Sequence, residues 1–290
     1  MLVIDLSQTL YASILSYDVK NPDKIETDLF RHICLNTIRN IMNKFKYEYG
    51  PKIVIACDSK NNWRKELFEY YKYNRRKSRK DSDIDWSKIY EKFDLIKSEL
   101  KETFTQYKVI EIDKAEADDI IACCAKLCYN NNEKIMIISS DKDLVQLQKY
   151  NNVKQYDAVH KKSKETDDPI KFLEYQVFKG DSSDGVPNVL SPSNTYFTGM
   201  RSKPLYEKKI IEWLNDPVFN FNPKQVLGEE VFQRYDLNKK LIDLSCIPQY
   251  IIDNINEELN RPYDVRDSNK LLNYFCQHNL GNLIQWIQDF

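Results

Sequence analysis

Glycine is scarce in this sequence, and no glycine-rich phosphate-binding motif is present. Only six glycines occur among 290 residues, which favours helices over hairpins. Neither a G-x-G-x-x-G pattern nor a Walker-type loop occurs, so nothing in the sequence supports a nucleotide cofactor. The net charge is −1. A protein with a near-neutral net charge can still combine a basic surface with an acidic pocket. Whether it binds nucleic acid therefore has to be judged from the local charge pattern.

Zinc motifs, histidine clusters and long apolar runs are also missing. The seven cysteines include no C-x-x-C pairs at zinc spacing, which favours reduced, buried thiols in an intracellular protein. His32, His160 and His278 are scattered, and we expect them to be surface or packing residues rather than ligands. No run approaches the ~20 apolar residues of a membrane span, and the first residues lack a signal-peptide pattern. We therefore expect a soluble, cytoplasmic protein.

Three short apolar runs each end in an aspartate, at residues 2–5, 53–58 and 135–141. A fourth run, at residues 109–113, is similar but alternates. Runs of this kind predict strands that are buried on both faces of a parallel sheet. Segments of helical period lie between them, at residues 29–45, 86–104 and 117–129. This alternation predicts an α/β fold, with a mostly parallel central sheet flanked by helices.

The strand pattern stops near residue 168. We predict an α/β core at residues 1–168 and a smaller helical C-terminal part at residues 169–290, with helical patterns at 205–214 and 269–287. Proline, serine, asparagine and glycine predict a long loop at residues 185–203. The last six residues are interpreted as the end of an amphipathic helix, with docking on a partner as the alternative. Because the chain begins almost at its first strand, we expect no N-terminal clamp-binding extension.

Carboxylates concentrate where the predicted strands end and in three denser clusters. Ligands of parallel sheets bind beyond the carboxyl ends of the strands. The residues concerned are Asp5, Asp58, Glu116, Asp118, Asp119, Asp141, Asp143, Asp181 and Asp184. Any one of them could simply stabilise a helix N-terminus. Together in one crevice they would repel and raise one another's pKa unless cations lay among them. Oxygen ligands suit Mg²⁺ or Mn²⁺, and two such ions can stabilise both oxygens of a phosphoryl transfer.

Residues 61–85 mix aromatic and basic side chains. They are Trp63, Phe68, Tyr70, Tyr71 and Tyr73 with Arg64, Lys65, Lys72, Arg75, Arg76, Lys77, Arg79 and Lys80. Cations for the backbone and rings for the bases are typical of a single-strand channel. Lys72 could hold a scissile phosphate and offset charge in the transition state. The alternative is a solvated amphipathic helix.

These motifs resemble those of the flap-endonuclease and 5′→3′ exonuclease superfamily, and within it the branch of T-even-type bacteriophage ribonuclease H. The resemblance covers almost the whole chain and is most specific at residues 116–119, 138–143 and 179–184. It implies a PIN-like 5′ nuclease core that uses two Mg²⁺ ions, with Mn²⁺ as a substitute. The implied activity is removal of RNA primers, adjacent DNA or 5′ flaps during DNA replication, leaving a 5′-phosphate.

The resemblance also implies a role for each residue. Asp5, Asp58, Glu116, Asp118 and Asp141 would surround the first metal, and Asp143, Asp181 and Asp184 the second, with Asp119 in support. The expected catalytic residues are Lys72, Asp118 and Asp141. The segment at about residues 60–85 would form an arch over the active site. The expected nucleic-acid contacts within it are Arg64, Lys72, Arg75, Arg76, Lys77 and Arg79.

The expected partners are branched or flapped duplex DNA and RNA–DNA hybrid, bound in part by the helical C-terminal region. A single-strand-binding protein and a sliding clamp are candidate protein partners, and we expect a monomer in the host-cell cytoplasm if the protein is phage-encoded. Residues 184–192 depart from the family's G-V-x-G-I-G turn. The sequence therefore does not decide whether a duplex-clamping turn with a monovalent ion is present. Two alternative functions are a phosphatase with an acidic crevice and a non-catalytic protein that binds branched DNA. Asp5-Leu6-Ser7 lacks the second aspartate of the D-x-D that an aspartyl-phosphate enzyme needs.

Overall fold

The computed structural model describes residues 1–290, which form two compact units. The first unit comprises Met1–Asn61, Asp83–Thr166 and Gln249–Phe290, and the second comprises Asn62–Ser82 and Asp167–Pro248. The predicted boundary at residue 168 divides the chain into two continuous parts, whereas each compact unit consists of segments that are separate in sequence. The C-terminal 42 residues belong to the first unit, and most of the predicted arch segment belongs to the second. None of the helices has the length and apolar character needed to cross a membrane.

A six-stranded sheet forms the centre of the first unit. Its strands are β1 (Leu2–Asp5), β2 (Ile53–Cys57), β3 (Lys108–Glu111), β4 (Ile135–Ile138), β5 (Val153–Asp157) and β6 (Lys162–Lys164). They lie in the order β3-β2-β1-β4-β5-β6. The first five strands are parallel, and β6 is antiparallel to β5. The four predicted strands and the mostly parallel sheet are confirmed, while β5 and β6 were not predicted.

Helices flank the sheet in the first unit, and several of them pack their apolar faces into one core with it. They are α1 (Leu6–Tyr17), α2 (Thr27–Tyr49), α5 (Trp86–Thr103), α6 (Ala117–Asn130), α11 (Gln249–Asn260), α12 (Ser268–Gln277) and α13 (Gly281–Ile284), with short 3₁₀ helices at Pro22–Lys24, Asp143–Lys149 and Ile287–Asp289. In α2, Phe30, Cys34, Ile38, Met42 and Phe45 are all buried. Their spacing of three or four residues places them on one face of the helix. That face joins the buried side chains of β1 and β2.

The C-terminal segment belongs to the first unit because its aromatic side chains enter that unit's core. Phe290 is 6% exposed, and its ring centroid lies 5.6 Å from Phe104 and 5.4 Å from Phe275. The predicted helical stretch at residues 269–287 is interrupted at Asn279, whose φ is 54°. The chain therefore turns after α12 and brings its last residue back into the core.

The second unit is helical. It contains α3 (Trp63–Leu67), α4 (Tyr73–Lys80), α7 (Pro169–Lys179), α8 (Glu207–Leu214), α9 (Pro223–Leu227) and α10 (Glu229–Ile242). Its core is aromatic, with the Phe178 centroid 5.4 Å from Trp213 and 5.0 Å from Tyr235. Asn238 on α10 donates to the carbonyl oxygens of Val177, at 3.0 Å, and Pro187, at 2.9 Å. This buried amide ties α10 to both sides of the turn that follows α7.

Candidate functional site

Three predicted carboxylates follow adjacent strands at one edge of the sheet. Asp5 is the last residue of β1, Asp58 directly follows β2, and Asp141 lies shortly after β4. β1 pairs in parallel with both β2 and β4. Because the carboxyl ends of parallel strands share an edge, the topology brings these three residues together.

Asp5 is the buried member of this group, at 6% exposure. Its carboxylate accepts hydrogen bonds from Gln8 N at 3.1 Å and from Ser139 Oγ at 3.0 Å. Burial and the negative charges of Asp58 and Asp141 raise the pKa of Asp5 to about 7, against the opposing effect of the two hydrogen bonds. Negative charge at this edge of the sheet is therefore incompletely compensated by the protein.

Ser139 links Asp5 to the turn that carries Asp141. Its hydroxyl donates to Asp5 Oδ2 and accepts from Asp141 N at 3.1 Å. Asp141 Oδ1 in turn accepts from the backbone N–H of Asp143 at 2.9 Å. Gln155 on β5 donates to the carbonyl oxygens of Ser139, at 2.9 Å, and Asp141, at 2.6 Å. Ser139 and Gln155 are both buried and position the two aspartates, a role that the sequence analysis missed.

The acidic residues at the start of α6 have a structural role as well as a predicted functional one. Glu116 and Asp119 form a capping box, in which Asp119 Oδ2 accepts from Glu116 N at 3.0 Å. Both are buried, while Asp118 between them is half-buried. Asp58 Oδ1 accepts from Ala117 N at 2.9 Å. The end of β2 and the start of α6 are thereby held together.

The oxygen donors at this edge are chemically suited to Mg²⁺ or Mn²⁺. No group of three or more His, Cys, Asp or Glu side chains is arranged so that it could hold a metal ion. The negative charges of Asp58 and Asp141 nevertheless add to burial in raising the pKa of Asp5. A divalent cation would relieve that repulsion, so these residues fit such an ion by charge and donor type.

In the second unit, Asp184 is held by three side chains that precede or begin α4. Tyr71 donates to Asp184 Oδ2 at 2.9 Å, Lys72 Nζ lies 3.9 Å from the same oxygen, and Arg75 pairs with Oδ1. The backbone N–H of Lys72 also donates to the carbonyl oxygen of Asp184 at 2.7 Å. Two basic residues predicted to contact nucleic acid thus pair with a predicted metal ligand.

Asp181 and Gly180 shape the turn that leads to Asp184. Asp181 is 2% exposed, and its Oδ1 accepts from Ser183 N at 2.8 Å and Ser183 Oγ at 2.7 Å. Gly180 has a φ of 69°, and a Cβ atom built there would lie 2.3 Å from the carbonyl oxygen of Val186. Only glycine fits this position without displacing the backbone.

We expect Gly180→Ala to lower the free energy of unfolding by about 2 kcal/mol or more, because a positive φ and a backbone clash act together. Gly228→Ala is the matched control, since Gly228 has a φ of 78° with no atom within 4 Å of the added Cβ. Denaturant unfolding of both variants would measure the difference. Equal losses would mean that the turn after α7 relaxes without cost.

The remaining predicted nucleic-acid contacts divide into buried and accessible residues. Arg64 is buried, at 2% exposure. Its Nε donates to Leu241 O at 2.9 Å, and its guanidinium lies 4.5 Å from the centroid of the Trp63 ring. These contacts favour a structural role for Arg64 within the second unit. Arg76 and Lys77 on α4 are exposed, and Arg79 is half-buried. These three remain accessible for the predicted contacts.

Comparison with known proteins gives a family assignment over the whole chain. Residues 1–176 match the family model of the 5′–3′ exonuclease N-terminal resolvase-like domain, and residues 169–290 match that of the T4 RNase H C-terminal region. The chain belongs to the 5′–3′ exonuclease family. It is 36% identical to ribonuclease H of Enterobacteria phage T4, over 99% of this chain and 95% of that protein.

A further relative and a solved structure also resemble this chain. A 5′–3′ exonuclease of Buchnera aphidicola subsp. Schizaphis graminum is 27% identical, over 99% of this chain and 96% of its own length. The crystal structure of the bacteriophage T5 flap endonuclease, bound to DNA and metal ions, has the same fold, with a TM-score of 0.59 and 17% identity. That match covers 89% of this chain and 97% of the T5 protein. The chain is therefore a nuclease of the 5′–3′ exonuclease, flap endonuclease and ribonuclease H kind, as the sequence predicted.

Proposed function

We propose that this chain is a Mg²⁺-dependent, structure-specific 5′ nuclease that removes RNA primers, adjacent DNA and 5′ flaps during DNA replication. The observation that carries the proposal is the position of Asp5, Asp58 and Asp141 at adjacent strand ends in a chain of this nuclease family. When bound, two Mg²⁺ ions would supply a water of lowered pKa and would stabilise charge on the attacking and leaving oxygens. Mn²⁺ would substitute for Mg²⁺.

The side chains have distinct proposed roles. Asp5, Asp58, Glu116, Asp118 and Asp141 would hold the first ion, with Asp119 supporting the start of α6. By the family resemblance, Asp143, Asp181 and Asp184 would surround the second ion. Ser139 orients Asp5 and Asp141 through its hydroxyl. Lys72 would bind the scissile phosphate, and Arg75, Arg76, Lys77 and Arg79 would contact the nucleic-acid backbone.

The proposed substrates are flapped or branched duplex DNA and RNA–DNA hybrid. The T5 relative has been crystallised with DNA, which supports a DNA substrate here. We expect little sequence specificity, because backbone contacts position a nucleic acid without reading its bases. We propose a cytoplasmic monomer, acting in the host-cell cytoplasm if the protein is phage-encoded. Its candidate protein partners are a single-strand-binding protein and a sliding clamp.

Cleavage of matched 5′-flap and RNA-primed duplexes, with Mg²⁺ titrated against EDTA, would test this function. We expect no cleavage in EDTA and increasing cleavage with Mg²⁺, with a 5′-phosphate on the retained strand. Flap binding without cleavage at any Mg²⁺ or Mn²⁺ concentration would indicate a non-catalytic branched-DNA-binding protein. Hydrolysis of small phosphate monoesters without DNA cleavage would indicate a phosphatase.

A further inference from the structure

Three aromatic rings in the second unit form a cluster that remains partly open to solvent. The Phe197 centroid lies 5.0 Å from that of Tyr70 and 4.9 Å from that of Tyr73. Phe197 is 48% exposed, and the two tyrosines are half-buried. The rings contact one another without forming a closed core, so ring surface remains available to a ligand.

Phe197 is carried by a loop whose base is closed by hydrogen bonds. Asn188 Oδ1 accepts from Ser191 Oγ at 3.0 Å, and Asn188 Nδ2 donates to Lys203 O at 2.8 Å. Lys203 N donates to Ser191 Oγ at 2.8 Å, so the two ends of the loop are joined directly. Thr195 is fully buried, whereas residues 197–201 are exposed. The loop thus holds an apolar tip in water through its own hydrogen bonds, which is the arrangement of a compact binding loop.

The surroundings of the ring cluster are predominantly basic, although Glu69 hydrogen-bonds to Tyr70. Helix α4, which begins at Tyr73, contains Arg75, Arg76, Lys77, Arg79 and Lys80 and no acidic residue. Residues 191–203 contain Arg201 and Lys203 and likewise no acidic residue. The Arg76 guanidinium lies 5.9 Å from the Tyr73 ring. Rings among cations complement a ligand that is both negatively charged and aromatic, which describes single-stranded nucleic acid.

We propose that Tyr70, Tyr73 and Phe197 form a stacking platform for an unpaired base of the single-stranded 5′ arm of the substrate. This inference rests on the proposed function and adds a contact from the loop of residues 191–203, the region that follows the departure from the family's glycine-rich turn. The base stacks on the exposed ring of Phe197, whose position is supported by ring contacts with Tyr70 and Tyr73. The cations of α4 hold the adjoining phosphates.

The test compares Phe197→Ala, Phe197→Tyr and Phe221→Ala in an Asp141→Asn background without added divalent metal. Binding to a 5′-flap duplex with 2-aminopurine in the flap is measured by anisotropy, and binding to the same duplex without the flap serves as reference. We expect Phe197→Ala to weaken flap binding about tenfold and to relieve 2-aminopurine quenching, with duplex binding unchanged. Phe197→Tyr should bind like the parent, because it keeps the ring. Phe221, which is 91% exposed in the same unit, is the control for loss of an exposed phenylalanine.

Two results would overturn the platform. Unchanged flap affinity and quenching in Phe197→Ala would exclude base stacking and would leave the rings to a protein partner. Equal weakening of flap and duplex binding would mean that the loop contacts duplex or maintains the fold. Failure of the proposed function would be seen separately, as absence of Mg²⁺-dependent cleavage by the wild-type chain.

Discussion

Replacement of Asp141 by asparagine should slow 5′-flap cleavage by roughly a thousandfold or more, because loss of a charge that holds a catalytic cation costs several kcal/mol of transition-state stabilisation. The fold should survive. The amide oxygen of asparagine can still accept from Asp143 N, and the bond from residue 141 N to Ser139 Oγ involves only backbone on the mutated residue. Single-turnover cleavage with saturating Mg²⁺, together with flap binding by anisotropy, would separate the chemical step from recognition.

Asp113→Asn provides the matched control for this substitution. Asp113 follows β3 near the same sheet edge and is exposed, with its Oδ1 accepting from Asn61 Nδ2 at 3.0 Å. It belongs to none of the predicted ligand groups, so its asparagine variant should cut at close to the wild-type rate. Wild-type cleavage by Asp141→Asn would remove Asp141 from the active site, and equal losses in both variants would point to a general charge effect.

The part of the sheet that carries the predicted site could be read from the sequence because its strands are buried on both faces. β1, β2 and β4 are wholly buried, so their apolar runs are uninterrupted. β1 itself ends in Asp5, and an aspartate follows both β2 and β4 within three residues. β5 reads Val-Lys-Gln-Tyr-Asp, with Lys154 and Gln155 side by side, and β6 reads Lys-Ser-Lys. A short, charged edge strand has no apolar run to mark it, which is why β6 and its neighbour escaped prediction.

Contacts between polar residues that are distant in sequence could not be predicted in the same way. Arg64 lies in a stretch that reads as a basic surface, yet it is buried against Leu241, which is 177 residues away in sequence. Asp184 is recognisable as part of an acidic motif, but its pairing with Tyr71 and Arg75 depends on how two separate segments fold together. Ser139 reads as an ordinary residue after a strand. Its link between Asp5 and Asp141 follows only from the parallel pairing of β1 and β4.

In the absence of divalent cations, Asp5→Asn should make the protein more stable than wild type at pH 8 by up to about 4 kcal/mol. The sign follows from the pKa of Asp5, which is about 7 in the folded chain against 3.8 for an ordinary aspartate. Between these two values the folded state binds the proton that the unfolded state has lost. The stabilising contribution of protonated Asp5 is therefore complete below about pH 4 and is lost as the pH rises through 7. Asparagine does not ionise and should abolish this part of the pH dependence.

Asp157→Asn is the control with the opposite expected sign. Burial alone would raise the pKa of Asp157, but hydrogen bonds from His160 and Val159 lower it, so its asparagine variant should be less stable than wild type near neutral pH. Denaturant unfolding in EDTA from pH 5 to pH 8 would measure both variants.

Mg²⁺ should stabilise wild type more than Asp5→Asn, because an ion that binds only the folded state adds more stability the more tightly it binds. A wild-type protein whose stability in EDTA does not fall between pH 5 and pH 8 would contradict an uncompensated negative charge at Asp5. A Mg²⁺ effect of equal size in both proteins would remove Asp5 from the cation site.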